Sequence, residues 1–300
     1  MPKVAVIIPT CNRSAYLKRA IESVCAQTYT DYEVIVVDDA STDDTAEVVA
    51  QFRDKPIKYI RHAENKGGSA ARNTGITHSQ SEYIAFLDDD DEWLPEKLAR
   101  QVAVLDCGDK SVGGVCTGHF KVDDKSGAII GEWIPLQKEN LSKEILKSNC
   151  LSTTSSLLFK RKVFEMVGLF DEKLKSFQDY DMWLRIAATY EFIALDGPLV
   201  NYYLHGQKIW TNCDMLFDGI LHMYKKYQGS PKMKPFFSKH LIGVASRYFS
   251  LGDFQKGQKA LAKAIAIDPW KLKAYIYYLS SLVGPRVFKR LMKVKRGQAV

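Results

Sequence analysis

The feature that most constrains the fold is an alternation of two hydrophobic patterns along residues 4–88. Short apolar or β-branched runs, typical of buried strands, alternate with longer segments whose apolar residues recur at helical spacing. The predicted strands are residues 4–9, 33–38, 57–62 and 83–88, and the predicted helices are residues 16–27, 42–53 and 68–79, the second with Ser41 as its N-cap. This alternation predicts a mainly parallel sheet flanked by helices.

Polar residues follow the predicted strands directly. The first strand leads into Pro9 and Thr10, the second into Asp38 and Asp39, and the fourth into the four consecutive aspartates 88–91. In an open sheet of parallel strands, ligands bind outside the carboxyl ends of the strands. We therefore expect the functional site at the edge of the sheet where the carboxyl ends of these strands lie.

The four aspartates predict a positively charged partner, because adjacent carboxylates repel one another. Hard oxygen ligands suit Mg²⁺ or Mn²⁺, and an ion held by few protein groups keeps positions open for substrate phosphates. The alternative is a solvated acidic turn. The apolar neighbours Phe86, Leu87, Trp93 and Leu94 would anchor the run and favour the metal site.

Glycine usage excludes two classes of nucleotide-binding protein. No phosphate-binding glycine fingerprint follows the first strand and no Gly-Lys-Ser/Thr loop occurs, so a dinucleotide dehydrogenase or a P-loop enzyme is not indicated. Gly67, Gly68 and Gly75 lie instead around Arg72, whose planar guanidinium suits a nucleotide or the aspartates; the alternative is a surface charge. The six cysteines form no Cys-x-x-Cys pair, which predicts reduced thiols in a cytosol-like compartment.

Taken in order, these motifs resemble family two of the inverting glycosyltransferases, which have the nucleotide-binding GT-A fold. The resemblance covers residues 4–203. Its blocks are Pro9-Thr10-Cys11-Asn12-Arg13, Asp38-Asp39-Ala40-Ser41, Asn65-Lys66-Gly67 with Ala71-Arg72-Asn73, Asp88-Asp89-Asp90-Asp91, and Gly168-Leu169-Phe170-Asp171 with Gln178-Asp179-Tyr180-Asp181. It implies an α/β fold of the GT-A type with a helical C-terminal extension.

The resemblance also implies roles for individual residues. Asp39 would accept an N–H of the nucleotide base, Asp90 would be the direct metal ligand, and His205 would help to bind the metal or the diphosphate. The residues expected to hold the nucleotide-sugar donor are Pro9, Thr10, Arg13, Asp39, Arg72, Asp88 and Asp89.

The family's catalytic base belongs to a Glu-Asp pair, which reads Gln178-Asp179 here. An acceptor hydroxyl has a pKa far above neutrality, so a nearby carboxylate must take its proton as the new bond forms. We expect Asp179 to do this at the start of a helix, where the helix dipole favours the ionised form. Asp181 is expected to shape the acceptor pocket, and Trp183 to pack in the core.

The C-terminal part differs in pattern and charge. We predict a GT-A domain over residues 1–210 and a helical, basic region over residues 211–300. Residues 248–269 are spaced like one tetratricopeptide-type hairpin, which would pack on the catalytic domain or on a second copy in a homo-oligomer. Eight lysines and arginines and no acidic residue follow Asp268, a local asymmetry that does not indicate a nucleic-acid partner.

No apolar run approaches the roughly 20 residues of a membrane-spanning helix. We therefore expect a cytoplasmic protein. Its basic segment after Pro285 is either a peripheral contact with the inner face of the cell membrane or a solvated end.

The expected function is Mn²⁺- or Mg²⁺-dependent transfer from a nucleotide sugar, a UDP-sugar, to a hydroxyl of a glycan or lipid-linked acceptor in polysaccharide or cell-envelope biosynthesis. One alternative is a nucleotidyltransferase that makes sugar nucleotides, but its glycine-rich triphosphate loop is absent after the first strand. The other is a non-catalytic nucleotide-sugar-binding protein, against which Asp179 and the aspartates 88–91 argue.

Overall fold

The computed structural model describes residues 1–135, 141–145, 150–151, 153–205 and 212–283. The chain divides into two compact units: Met1–Lys173 with Gln178–Gly206, and Leu174–Phe177 with Gln207–Val300. All six cysteines lie in the described ranges, and no disulfide joins any two of them.

The first half of the first unit alternates strands and helices, as predicted. Its elements are β1 (Val4–Thr10), α1 (Ser14–Cys25), β2 (Tyr32–Asp38), α2 (Thr45–Ala50), β3 (Ile57–Arg61), α3 (Gly68–Thr77) and β4 (Tyr83–Phe86). β1 pairs in parallel with both β2 and β4, and β2 pairs in parallel with β3. The carboxyl ends of these strands therefore meet at one edge of the sheet.

Burial on both faces explains why the strands read as continuous apolar runs. The first five residues of β1 are completely buried, as is the Leu17, Ala20, Ile21 and Val24 face of α1. On the other face, a Cβ at Gly75 of α3 would lie 2.4 Å from the Ile7 side chain. Glycine at position 75 thus lets α3 pack closely against β1.

The predicted N-cap at Ser41 is wrong, because α2 begins only at Thr45. The Ser41 hydroxyl accepts a hydrogen bond from the Asn12 N–H at 2.9 Å, and the Ser41 N–H donates to Asp38 Oδ1 at 2.8 Å. Ser41 therefore joins the turn after β2 to the turn after β1.

The second half of the unit combines parallel and antiparallel strands with helices. It contains β5 (Glu92–Trp93), α4 (Lys97–Cys107), β6 (Val112–Asp123), β7 (Ile129–Trp133), α5 (Leu141–Ile145), β8 (Leu157–Lys160), α6 (Arg161–Val167), α7 (Gln178–Ala187) and β9 (Glu191–Leu204). Within the described ranges, nine strands form one sheet of order β3-β2-β1-β4-β8-β6-β9-β5, with β7 paired to β6. β8 runs antiparallel to β4 and β6, and β9 runs parallel to β6.

The second unit is helical where it is described, as predicted for the C-terminal extension. Its helices are α8 (Cys213–Tyr227), α9 (Lys234–Leu251), α10 (Phe254–Ile267) and α11 (Leu272–Leu282). Gly252 ends α9 with a φ of +88°, and the Asp253 side chain caps α10 by accepting from the Lys256 N–H at 2.9 Å. A Cβ at Gly257 would lie 2.4 Å from the Phe249 ring, so α9 and α10 cross closely as a hairpin.

Among the helices that the structure describes, none combines the length and apolar character needed to cross a membrane. The basic segment after Pro285, which is predicted to contact a membrane, lies within residues 284–300 and so outside the described residues.

Candidate active site

The run of four aspartates lies just beyond the carboxyl end of β4. Carboxylate oxygens of Asp88, Asp90 and Asp91 all lie within 4.8 Å of one another. Asp90 is 6 % exposed and Asp91 is completely buried, so the run is not a solvated turn. These three carboxylates, called the acidic triad below, form an oxygen-rich site that fits Mg²⁺ or Mn²⁺.

Asp89 is not a member of the acidic triad, and its carboxylate contacts Thr10 at the end of β1 and Arg13 in the turn that follows. Its Oδ2 accepts from the Thr10 hydroxyl at 2.8 Å, and its Oδ1 accepts from Arg13 Nη1 at 3.1 Å. Burial raises the pKa of Asp89 to about 6, although the Arg13 charge opposes the shift. The structure thus brings Thr10, Arg13 and Asp89 together, with Pro9 next to Thr10 at the end of β1.

The two predicted metal ligands are also neighbours. His205 Nε2 lies 2.5 Å from Asp90 Oδ2, and the imidazole stacks on the ring of Tyr16 with centroids 5.3 Å apart. Arg13 Nη1 lies 3.3 Å from the same Asp90 oxygen. Asp90 therefore lies between an imidazole that can bind a metal and a cation that can bind phosphate.

Arg72 and Asp179 lie near Asp88, a member of the acidic triad. Arg72 is buried rather than a surface charge, and its Nη2 donates to Asp88 Oδ1 at 2.6 Å. Asp179 lies in the first turn of α7. Its Oδ1 is buried and has no hydrogen-bond partner among the residues that the structure describes.

The pKa of Asp179 moves in the direction opposite to that expected from the helix dipole. Burial raises this pKa, the positive charge of Arg72 lowers it, and the negative charge of Asp88 raises it again. Desolvation of the carboxylate thus outweighs the position at a helix N-terminus. Asp179 therefore interacts electrostatically with Arg72 and with Asp88, one member of the acidic triad.

Asp39 fixes the loop that leads into α3. Its carboxylate accepts from the Lys66 N–H at 2.8 Å and the Gly67 N–H at 2.7 Å, and it lies 2.7 Å from His62 Nδ1. Gly67 has a φ of +89°, which favours glycine at this turn. A carboxylate has about four acceptor positions, so Asp39 keeps one for a ligand.

The prediction that Asp181 shapes the acceptor pocket is wrong. Asp181 is completely buried, and its carboxylate pairs with Arg185 of the same helix at 3.0 Å. Arg185 in turn donates to the carbonyls of Val167 and Leu169, so the pair joins α7 to the end of α6. Trp183 is buried in the core, as predicted.

Sequence reasoning missed two residues of this site and did not single out a third. Asp91 belongs to the acidic triad and was predicted only as part of the aspartate run, not as an individual metal ligand. His62 supports Asp39, and Ser155 contacts both Asp88 and Asp91. Neither has a motif around it that distinguishes it from a surface residue, and only the fold brings each to the site.

Comparison with known proteins gives one family match and many relatives. Residues 5–168 match the model of "Glycosyl transferase family 2". The putative colanic acid biosynthesis glycosyl transferase WcaA of Escherichia coli K12 is 31 % identical over 237 residues, covering 76 % of this chain and 82 % of WcaA. An uncharacterized glycosyltransferase of Rickettsia felis is 33 % identical over 234 residues, covering 74 % of this chain. The chain spans only 38 % to 61 % of the length of four such Rickettsia relatives.

Two solved structures resemble the whole chain. S. aureus TarS 1-349 in complex with UDP-GlcNAc matches with a TM-score of 0.68 at 19 % identity, covering 99 % of this chain and 92 % of that one. The mannosyltransferase PcManGT from Pyrobaculum calidifontis, in complex with GDP-Man and Mn²⁺, matches with a TM-score of 0.60 at 19 % identity, covering 99 % and 87 %. At this identity the likeness establishes the fold, and it confirms the predicted fold class.

Proposed function

Because the chain belongs to glycosyl transferase family 2 and has the GT-A fold, we propose that it transfers a sugar from a nucleotide-sugar donor to a hydroxyl of a glycan or lipid-linked acceptor. The transfer depends on Mn²⁺ or Mg²⁺ and inverts the anomeric configuration. One observation carries the proposal: the acidic triad lies beside Arg13 and His205 and within electrostatic range of the buried carboxylate of Asp179.

The relatives support a donor class and a process. TarS has been solved with UDP and with UDP-GlcNAc, and PcManGT with GDP-Man and Mn²⁺. WcaA is named for colanic acid biosynthesis. From these relatives we infer that this chain uses a UDP-sugar donor and acts in the biosynthesis of a cell-surface polysaccharide.

Different residues of the site would bind different parts of the donor. A Mn²⁺ or Mg²⁺ ion held by Asp88, Asp90 and Asp91, with His205 beside it, would neutralise the charge that develops on the departing nucleoside diphosphate. Arg13 is partly exposed beside Asp89 and Asp90, where its guanidinium can pair with a phosphate.

The remaining donor residues lie toward the base and ribose. Asp39 offers its remaining acceptor position to an N–H of the base. Arg72 pairs with Asp88 and holds the Asp88 carboxylate near the other two members of the acidic triad.

Asp179 acts as the general base. The acceptor oxygen attacks the anomeric carbon from the face opposite the leaving group, so the new C–O bond forms as the bond to the diphosphate breaks. The acceptor proton passes to the buried carboxylate of Asp179 in the first turn of α7. A sugar hydroxyl thus takes the place that water has in an inverting hydrolase.

A binding screen tests the function as a whole. UDP- and GDP-sugars should raise the melting temperature of the full chain only when Mn²⁺ or Mg²⁺ is present, because a ligand that binds the native state stabilises it by mass action. A transfer assay with the best donor then follows. If no nucleotide sugar stabilises the protein with either metal, the proposed function is wrong.

Replacing Asp39 with alanine should weaken UDP binding by roughly 1–3 kcal/mol, the usual cost of losing a charged hydrogen bond. Isothermal titration calorimetry of UDP measures this change. Asp43→Ala is the matched control, because Asp43 follows the same strand but accepts from the Ser14 and Thr45 N–H groups. Equal UDP affinity in Asp39→Ala and the wild type would remove Asp39 from the donor site.

We also propose that the second unit contacts an anionic membrane surface. It carries 19 lysines and arginines against four acidic residues, whereas the first unit has a net charge of −8. On α11, Leu272, Ile276 and Leu279 recur at helical spacing and are each more than half exposed. Apolar residues flanked by basic ones suit the headgroup region of an anionic bilayer.

Removing residues 285–300 should lower binding to anionic liposomes at low salt but preserve transfer to a soluble acceptor. The segment carries six lysines and arginines, each worth about 1 kcal/mol near an anionic surface. Co-sedimentation with anionic vesicles measures binding, and neutral vesicles are the control. Equal sedimentation of the truncated and full chains with anionic vesicles would contradict the membrane contact.

A further inference from the structure

Ser155 lies 64 residues beyond Asp91 in the sequence but contacts two members of the acidic triad. Its hydroxyl donates to Asp91 Oδ2 at 2.6 Å and accepts from the Asp88 N–H at 3.1 Å. The residue is completely buried. One hydroxyl group therefore connects the first and last aspartates of the run.

The turn that carries Ser155 is itself held in place. Thr154–Ser156 form a single 3₁₀ turn, and the Thr153 hydroxyl accepts from the Ser155 N–H at 3.3 Å. The Ser155 carbonyl accepts from the indole Nε1–H of Trp93 at 2.8 Å. Trp93 is buried, with Lys97 Nζ 3.8 Å from its ring centroid. The backbone N–H and the carbonyl of Ser155 are thus both hydrogen-bonded, which fixes the backbone that carries its hydroxyl.

We propose that Ser155 is a positioning residue for the metal ion, acting through Asp91 and the backbone of Asp88. Three carboxylates this close repel one another, so each needs a donor to hold its orientation before an ion arrives. Partners of metal ligands commonly orient those ligands and tune metal affinity in this way. The inference rests on the metal-dependent function proposed above and names a residue that controls it.

The test compares two neighbouring serines. Ser155→Ala removes the hydroxyl that contacts the acidic triad. Ser156→Ala removes an equally buried hydroxyl that donates to the carbonyls of Thr153 and Leu151. Mn²⁺ binding to each full chain, without donor, is measured by titration calorimetry and by the electron paramagnetic resonance spectrum of the bound ion. Thermal unfolding without metal reports any general loss of stability.

We expect Ser155→Ala to raise the Kd for Mn²⁺ by roughly 10–100-fold and to alter the spectrum of the bound ion. Ser156→Ala should keep the wild-type Kd and spectrum, even if both variants lose similar stability. If Ser155→Ala does not fold, Ser155→Cys is used, which is similar in size and a weak donor, and its Kd should also rise.

Two results would overturn the inference in different ways. If the serine variants bind Mn²⁺ as the wild type does, Ser155 does not position the ligands, but the metal-dependent function stands. If the wild type itself binds neither Mn²⁺ nor Mg²⁺, with or without a nucleotide sugar, the metal-dependent function fails and the inference fails with it.

Discussion

Asp179→Asn is expected to lower the rate of sugar transfer by about a hundredfold or more while nucleotide-sugar and metal binding persist. The asparagine is nearly isosteric with aspartate but cannot accept the acceptor proton. Burial raises the pKa of the Asp179 carboxyl, so its charged form is costly in the folded protein. The fold should therefore tolerate a neutral asparagine at this position. Steady-state transfer and donor titration on the same preparation separate loss of chemistry from loss of binding.

Asp181→Asn is the matched control for this experiment. Asp181 lies in the same helix, and its substitution removes the ion pair with Arg185. We therefore expect Asp181→Asn to lower stability with little effect on the transfer rate of the folded protein. If Asp181→Asn is inactive and Asp179→Asn transfers at the wild-type rate, the base is misassigned by half a helical turn. A product that retains the anomeric configuration would contradict the single displacement.

Asp90→Ala should abolish transfer and remove the part of donor binding that depends on Mn²⁺. Asp90 is the member of the acidic triad that also contacts His205 and Arg13. Alanine at this position removes the carboxylate that contacts both side chains. Donor titrations with and without Mn²⁺ measure the loss.

Asp89→Asn is the comparison for Asp90→Ala, because Asp89 contacts Thr10 and Arg13 and is not a member of the acidic triad. It should weaken donor binding but preserve its dependence on Mn²⁺. Unchanged metal-dependent turnover in Asp90→Ala would remove Asp90 from the metal site.

The parallel half of the sheet and its polar edge were predictable for physical reasons. Strands buried on both faces read as unbroken apolar runs, and parallel pairing brings their carboxyl ends together. The contacts between Thr10 and Asp89 and between Asp38 and the turn at Ser41 follow from that arrangement. Residues just beyond β1, β2 and β4 could therefore be assigned to one site from the sequence.

The other features depend on contacts that leave no local pattern. Ser155 reaches the acidic triad because β8 inserts antiparallel between β4 and β6, an order that no periodicity in the sequence indicates. Ser41 has a residue type typical of a helix cap, but Asn12 competes for its hydroxyl. The raised pKa of Asp179 reflects burial by segments distant in sequence, which outweighs the local helix dipole.

The pairing of His205 with Asp90 has a consequence for synthesis on the ribosome. The two residues are 115 positions apart, so at about 5–20 residues per second His205 emerges roughly 6–23 seconds after Asp90. During that interval Arg13 and Arg72, both already synthesised, can pair with Asp90 and Asp88. The contact between Asp90 and His205 can form only after the end of β9 has been synthesised.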